Sequence, residues 1–227
     1  MKYITAILLC MLYGATYAQD SRDNWADLTK YEKQNAALPP PARGEKRVVF
    51  LGSSIIEFWQ RSDPSYFADR HYIDRGISGQ IAPQLLVRFQ ADVVALRPAA
   101  VVILAGSNDI AMDTAFYMYK RIMDNIKSMA ELARQNNIKV ILCKYVPIAE
   151  YPWRKGVHPA ERIMHLNALI TAYAEKEHLA LLDYFTPLVN DQNGQKADLT
   201  TDGVHPNLKG YKALEPVTDK VIASVLK

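Results

Sequence analysis

The chain has 227 residues, of which 49% are hydrophobic and 22% are charged. This length and composition are sufficient for one domain with a well-buried core. The formal net charge is +3, and the lysines and arginines are spread along the chain without forming a cluster. Because nucleic-acid-binding surfaces usually carry a clustered basic stripe, this charge pattern argues against a nucleic-acid partner.

The first twenty residues have the pattern of a secretory signal. Lys2 precedes an apolar run over residues 4–13, and small residues stand at positions 16 and 18. The apolar run is short for a bilayer span, so it predicts a signal peptide over residues 1–18 that is cleaved after Ala18. We therefore expect a secreted or periplasmic protein with no stable membrane span after cleavage. A short membrane anchor or a buried helix is the alternative interpretation of the same run.

The next segment, residues 19–45, is polar and ends near three consecutive prolines at 39–41. It predicts an N-terminal extension with a short helix over residues 25–37, which the prolines terminate. From residue 46 to residue 227 the pattern becomes regular and predicts a single domain.

Five short aliphatic runs in that domain are typical of strands. They are residues 47–52, 71–76, 100–106, 139–145 and 179–184. Longer segments with apolar residues three or four positions apart lie between them and predict core-facing helices, the last over residues 208–226. Strands that alternate with helices favour an α/β fold, here a three-layer α/β/α sandwich around a five-stranded parallel sheet of the flavodoxin-like type.

Polar residues follow these strands at their carboxyl ends, where open parallel sheets usually carry their sites. The sequences are GSSI at 52–55, ISGQ at 77–80, GSND at 106–109 and DGVHPN at 202–207. Taken singly, each is typical of a helix cap or a turn. Their position along one edge of the predicted sheet indicates a common site.

In this order, the four blocks resemble those of the SGNH hydrolases, also called the GDSL-type lipase and acylhydrolase family. Residues 52–55 match the G-D-S-L block, 77–80 the oxyanion-glycine block, 106–109 the G-x-N-D block, and Asp202 with His205 the D-x-x-H block. The resemblance covers roughly residues 45–225. It implies the fold of that family and a serine esterase that uses no metal and no organic cofactor.

The resemblance also implies a role for each matched residue. Ser54 would be the nucleophile, His205 the base that takes its proton, and Asp202 the carboxylate that orients the histidine. The oxyanion hole would comprise the backbone N–H groups of Ser54 and Gly79 with the side-chain amide of Asn108.

The chain departs from the family pattern at Ser53, where the family usually has an aspartate. Two adjacent serines are then candidate nucleophiles, and the alignment of the block favours Ser54. A second candidate feature is the loop after the fourth strand, which lies on the same edge of the sheet. Trp153 and Arg154 in this loop could contact the substrate, and a surface loop without such a role is the alternative.

We therefore expect a secreted serine esterase or acylhydrolase that cleaves carboxylic esters through an acyl-enzyme. No large lid insertion interrupts the predicted site, which favours short acyl groups such as acetyl on a carbohydrate or a similar small molecule. A lysophospholipase or thioesterase of the same family is the alternative within the class. The sequence leaves the oligomeric state open.

Two alternatives belong to other classes. A metal-dependent phosphoesterase could use Asp109, Asp113, Asp202 and His205 as ligands, although no loop carries a dense cluster of histidine and aspartate. A non-catalytic carbohydrate-binding relative would keep the fold without the chemistry, and the intact set of Ser54, Asp202 and His205 argues against it.

Overall fold

The structure is a computed structural model that describes residues 24–227 except residues 114 and 116. The predicted signal peptide, residues 1–18, lies outside the described residues. Among the helices that are described, none combines the length and the apolar character that a membrane span needs.

A five-stranded parallel sheet forms the centre of the fold, with the strand order β2-β1-β3-β4-β5. Its strands are β1 (Val48–Gly52), β2 (Tyr72–Gly76), β3 (Ala100–Ile103), β4 (Lys139–Lys144) and β5 (Ala180–Asp183). All five predicted strands are confirmed, the third being shorter at its carboxyl end than residues 100–106. Every residue of β1 and β3 is buried, because helices cover both faces of the sheet at its centre.

Eight α-helices surround the sheet in the described part of the chain. They are α1 (Glu32–Ala37), α2 (Ser54–Ser62), α3 (Pro64–Ala68), α4 (Ala82–Asp92), α5 (Ser107–Met112), α6 (Tyr117–Gln135), α7 (Pro159–Lys176) and α8 (Leu208–Val225). Helix α2 contacts α8, whereas α6 contacts both α4 and α7, so the helices form two groups. The predicted α/β fold with a five-stranded parallel sheet is therefore confirmed.

The first helix is shorter than the sequence predicted. It begins at Glu32 rather than near residue 25, because Asp27 has a φ of 52°, outside the right-handed helical region. The side chain of Asn24 accepts a hydrogen bond from the N–H of Leu28, so this stretch forms turns instead. These turns bring the N-terminal segment against the loop that follows β2.

Aromatic packing fixes helix α2 against the sheet, where Trp59 meets Phe50 of β1 at 6.1 Å between ring centroids, and against the last helix. The Trp59 ring, fully buried, stacks on Tyr66 at 5.1 Å and on Tyr211 at 5.3 Å between ring centroids. The hydroxyl of Tyr211 donates a hydrogen bond to the carbonyl of Ile55 in the first turn of α2. Because α2 begins at Ser54, these contacts position Ser54 relative to the loop before α8.

Candidate active site

Three residues that are distant in sequence meet at the carboxyl edge of the sheet. Ser54 begins α2 directly after β1, and His205 lies in the loop before α8. The Nε2 atom of His205 lies 2.9 Å from the Oγ atom of Ser54, and its Nδ1 atom lies 2.7 Å from Oδ2 of Asp202. The structure therefore brings together the predicted nucleophile, base and carboxylate in hydrogen-bonding order.

The loop around Asp202 holds its carboxylate in place. Oδ1 accepts hydrogen bonds from the backbone N–H groups of Val204 at 2.9 Å and His205 at 2.8 Å. Burial raises the pKa of Asp202, but the hydrogen bonds from His205 and Val204 outweigh it and the pKa lies below its usual range. An ionised carboxylate at this position favours the tautomer of His205 that carries its proton on Nδ1, which leaves Nε2 free to accept a proton from Ser54.

The two adjacent serines have different environments. Ser54 lines an open cavity, whereas Ser53 is 4% exposed and does not line it. Ser53 stands at the N-cap of α2, yet its side chain makes no capping hydrogen bond. Of the two serines, Ser54 therefore reaches both His205 and the cavity.

The predicted oxyanion residues lie beside Ser54 in the same cavity. Gly79 has a φ of 80°, a left-handed conformation that glycine adopts without strain. The Nδ2 atom of Asn108 donates a hydrogen bond to the carbonyl of Gln80 at 2.9 Å. Since an amide nitrogen carries two protons, the second remains available to an atom in the cavity.

The cavity has a volume of about 400 Å³ and is largely apolar. Its lining includes both predicted substrate-binding residues, Trp153 and Arg154, together with His205. The Trp153 ring is 56% exposed, and its centroid lies 6.2 Å from that of His205. Asp202 does not line the cavity and stands behind the histidine. The remaining lining residues are Ser54, Phe58, Ser78, Gly79, Ser107, Asn108, Ala111, Met112, Tyr145 and Val204.

The sequence matches the model of the GDSL-like lipase/acylhydrolase family over residues 50–213, well over half of the chain. The chain belongs to this family. Its members include the SGNH hydrolases that the four sequence blocks resemble, so the predicted family is confirmed. The protein is a GDSL-like hydrolase of ester bonds.

Known proteins similar to this GDSL-like hydrolase include enzymes and solved structures. Esterase TesA of Pseudomonas aeruginosa is 27% identical over 186 residues, which cover 80% of this chain and 86% of TesA. The crystal structure of a GDSL-like lipase from Bacteroides thetaiotaomicron has a TM-score of 0.84 and 44% identity, covering 88% of this chain and 98% of that one. The acetyl xylan esterase AlAXEase shares the fold, with a TM-score of 0.60 and 24% identity over 77% of this chain and 98% of its own.

The ligands of the alternative metal site are not brought together in this hydrolase. Asp109 is buried, accepts a hydrogen bond from the N–H of Ala82 and lies 3.8 Å from Arg121, while Asp113 contacts the same arginine. Asp202 contacts His205 instead. Within the described residues, no three histidine, cysteine, aspartate or glutamate side chains form a group that could hold a metal ion.

Two buried charged residues that support the site were not predicted from the sequence. Arg88 is fully buried and donates to the carbonyls of Gly52 and Arg75, at the ends of β1 and β2. Glu57, one turn after Ser54, accepts hydrogen bonds from Ser78. The sequence does indicate that Arg88 is buried, because it lies on the face of helix α4 whose apolar residues pack into the core.

Proposed function

We propose that this GDSL-like hydrolase is an exported serine esterase that removes short acyl groups, acetyl above all, from carbohydrates or similar small alcohols. The observation that carries the proposal is the hydrogen-bonded series of Ser54, His205 and Asp202 at the edge of an open cavity. No metal ion and no organic cofactor take part in the proposed chemistry.

The proposed reaction proceeds through an acyl-enzyme. His205 takes the proton of Ser54 at Nε2 while Oγ attacks the ester carbonyl, and Asp202 stabilises the resulting imidazolium. The tetrahedral intermediate collapses when the imidazolium gives its proton to the departing alcohol oxygen. A water molecule, deprotonated by His205, then attacks the acyl-enzyme, and the collapse of the second intermediate returns the proton to Ser54 and releases the acid.

The negative charge on the carbonyl oxygen needs donors that are already in place. We assign this role to the backbone N–H groups of Ser54 and Gly79 and to the second Nδ2 proton of Asn108. Each such donor contributes on the order of 3 kcal/mol to transition-state stabilisation. The N-terminus of α2, where Ser54 lies, adds a favourable dipole.

The size and openness of the cavity support a short acyl group. Its volume of about 400 Å³ must accommodate both the acyl part and part of the alcohol, and this is near the lower end of the range of roughly 300–1,000 Å³ for small-molecule sites. Met112 in its lining is 58% exposed, so solvent reaches the rim. We infer that a long acyl chain would extend into water and would gain little from binding.

Trp153 and Arg154 are proposed to contact the alcohol part. An exposed indole face beside His205 suits the apolar face of a sugar ring, which would pack on it next to the scissile bond. Arg154 makes no ion pair with any residue that the structure describes, so its guanidinium is free to donate to sugar hydroxyls or to a carboxylate.

Acyl-chain preference tests the substrate class. We expect 4-nitrophenyl acetate to be hydrolysed with a higher kcat/KM than 4-nitrophenyl palmitate, both being dispersed in the same detergent. Faster turnover of the palmitate would contradict the proposal and favour a lysophospholipase or thioesterase. Ser54→Ala serves as the control for uncatalysed and contaminating hydrolysis, and full activity after EDTA treatment is expected.

Two further variants test the alcohol site. Trp153→Ala should raise the KM for an acetylated xylo-oligosaccharide and leave the kcat/KM for 4-nitrophenyl acetate within about twofold, because only the sugar uses the ring. An equal loss on both substrates would contradict the assignment. Arg154→Gln is compared in the same assay.

The proposal includes export of the protein and cleavage of a signal peptide after Ala18. It is supported by the apolar run at residues 4–13 and the small residues at 16 and 18. The mature protein recovered from the periplasm or the medium is expected to begin at Gln19. A mature protein that retains residues 1–18 would contradict cleavage.

A further inference from the structure

Glu57 is a buried carboxylate on the same helix as Ser54. It lies one turn after the serine in α2, and its side chain is 7% exposed. Its oxygens accept from the backbone N–H and the hydroxyl of Ser78, and from the side chains of Lys30 and Arg61. A carboxylate removed from water needs such donors, and here they come from three separate segments of the chain.

Two of these hydrogen bonds reach the loop that carries Gly79. The Ser78 N–H lies 2.8 Å from Oε2 of Glu57, and the Ser78 hydroxyl donates to the same oxygen. Ser78 directly precedes Gly79, whereas Glu57 shares a helical turn with Ser54. The carboxylate therefore connects the helix that presents the nucleophile to the loop that presents the second backbone N–H of the oxyanion hole.

The rest of the loop is held on either side of this connection. The hydroxyl of Tyr31, in the N-terminal segment, donates to the carbonyl of Gly76. The side chain of Gln80 donates to the carbonyl of Ala26 at 2.7 Å and accepts from Arg88 at 2.6 Å. Between these two anchors, the N–H of Ile77 donates to the carbonyl of Gly52 at 3.1 Å, and the Glu57 side chain accepts both hydrogen bonds from Ser78.

The electrostatic environment keeps Glu57 ionised. Burial raises the pKa of this carboxyl, but the two Ser78 hydrogen bonds, with Lys30 and Arg61, outweigh it and hold the pKa below its usual range. An ionised carboxylate offers only acceptor oxygens, which suits an N–H and a hydroxyl that both donate.

We propose that Glu57 is a positioning residue for the oxyanion hole, because it fixes the distance between Ser54 and the Gly79 N–H. The proposal rests on the proposed function. Donors aimed at a developing oxyanion act without reorganisation only if the loop is already in place, and a shift of a few tenths of an ångström reduces their effect. Without the carboxylate, the loop loses its hydrogen bonds at Ser78, on one side of Gly79, and keeps the Asn108 bond to the carbonyl of Gln80 on the other side. Ser54, His205 and Asp202 keep their contacts.

The test compares Glu57→Ala with a matched control, Asp63→Ala. Both Ser78 contacts use Oε2 of Glu57, so the amide oxygen of a glutamine could keep them, whereas alanine removes both. Asp63 is also a buried carboxylate at the end of α2, but it pairs with Lys212 and caps α3, away from the Gly79 loop. Ser78→Ala is a second test variant, because it removes only the hydroxyl contact with Glu57 and keeps the N–H contact.

Three measurements decide the outcome: kcat and KM for 4-nitrophenyl acetate, the inhibition constant of methylboronic acid as a tetrahedral analogue, and amide hydrogen exchange of the 76–81 segment. We expect Glu57→Ala to lower kcat at least tenfold with KM within twofold, to weaken the boronate in proportion, and to accelerate exchange in the loop. Ser78→Ala should show the same pattern at a smaller amplitude, and Asp63→Ala should keep kcat within about twofold.

A kcat for Glu57→Ala within twofold of the parent enzyme, or an equal loss in Asp63→Ala, would overturn the proposal. If Glu57→Ala does not fold, Ser78→Ala decides by the same criteria. Should Ser54→Ala retain the esterase activity, the proposed function fails, and hydrogen exchange still reports whether Glu57 holds the loop. Unchanged exchange in both variants would overturn its positioning role independently of activity.

Discussion

Arg88 is expected to be one of the most important side chains for the stability of this hydrolase. Its guanidinium is excluded from solvent and donates four hydrogen bonds: to Oε1 of Gln80 at 2.6 Å, Oδ2 of Asp92 at 2.9 Å, the carbonyl of Gly52 at 2.9 Å and the carbonyl of Arg75 at 2.7 Å. Arg88→Met keeps an unbranched side chain in helix α4 but leaves these four oxygens without that donor.

The expected loss of unfolding free energy follows from the acceptors that stay buried after the guanidinium is removed. Removing one partner of a buried ion pair costs about 3–5 kcal/mol, because the other charge remains uncompensated. Asp92 keeps a hydrogen bond from Asn35 at 2.7 Å, which moderates the loss, while the carbonyls of Gly52 and Arg75 lose a charged donor. We therefore expect the free energy of unfolding to fall by about 4 kcal/mol, a large part of the roughly 5–15 kcal/mol of a typical domain.

Urea unfolding at neutral pH, followed by tryptophan fluorescence and by circular dichroism, measures this loss. Arg70→Met is the control, because Arg70 pairs with Asp219 at the surface, where the two side chains are 35% and 38% exposed. Such a pair contributes roughly 0–1 kcal/mol. If Arg88→Met loses no more stability than Arg70→Met, the guanidinium does not hold the strand ends together and the reasoning is refuted.

Asp202→Asn should lower kcat by about three to four orders of magnitude with little change in the urea midpoint, since the neutral amide no longer stabilises the imidazolium; a loss below tenfold would contradict the role. Burial raises the pKa of Asp109 to about 6. The folded state therefore retains a proton that the unfolded chain releases near pH 4, and the free energy of unfolding falls as the pH rises from about 4 to about 6. Asp109→Asn should therefore reduce the difference between unfolding free energies at pH 4.5 and 6.5 by about 2 kcal/mol, and an unchanged difference would count against the buried carboxyl. Gly76→Ala should lower the free energy of unfolding in urea by about 1–3 kcal/mol or more, because a Cβ there would lie 2.2 Å from the backbone nitrogen of Glu57 and force helix α2 away. A free energy of unfolding equal to that of the parent enzyme would show that helix α2 moves without a cost in stability.

One rule about parallel sheets allowed both the sheet and the principal site residues to be predicted from the sequence. Buried parallel strands are continuous aliphatic runs, and their carboxyl ends must share one edge, so residues after successive strands meet there. This rule alone predicts that Ser54, Gly79, Asn108 and His205 lie near one another. It could not choose between the two adjacent serines, which differ in burial: Ser53 is buried, whereas Ser54 lines the cavity.

The supporting residues could not be predicted because their partners are distant in sequence. The helical spacing of Arg88 indicates a buried face, but its acceptors are carbonyls at the ends of β1 and β2, which carry no side-chain signal. The predicted helix over residues 25–37 was too long because its periodicity does not reveal the left-handed conformation of Asp27. Tertiary contacts determine the first feature, whereas a local turn held by the Asn24 side chain accompanies the second.

Covalent trapping tests the central claim most directly. A fluorophosphonate probe followed by peptide mass spectrometry should place the label on Ser54, and Ser54→Ala should abolish both labelling and ester hydrolysis while Ser53→Ala remains labelled. Ser53 is buried, whereas the Oγ atom of Ser54 lies 2.9 Å from the Nε2 atom of His205. Labelling at Ser53, or undiminished labelling of Ser54→Ala, would contradict the account.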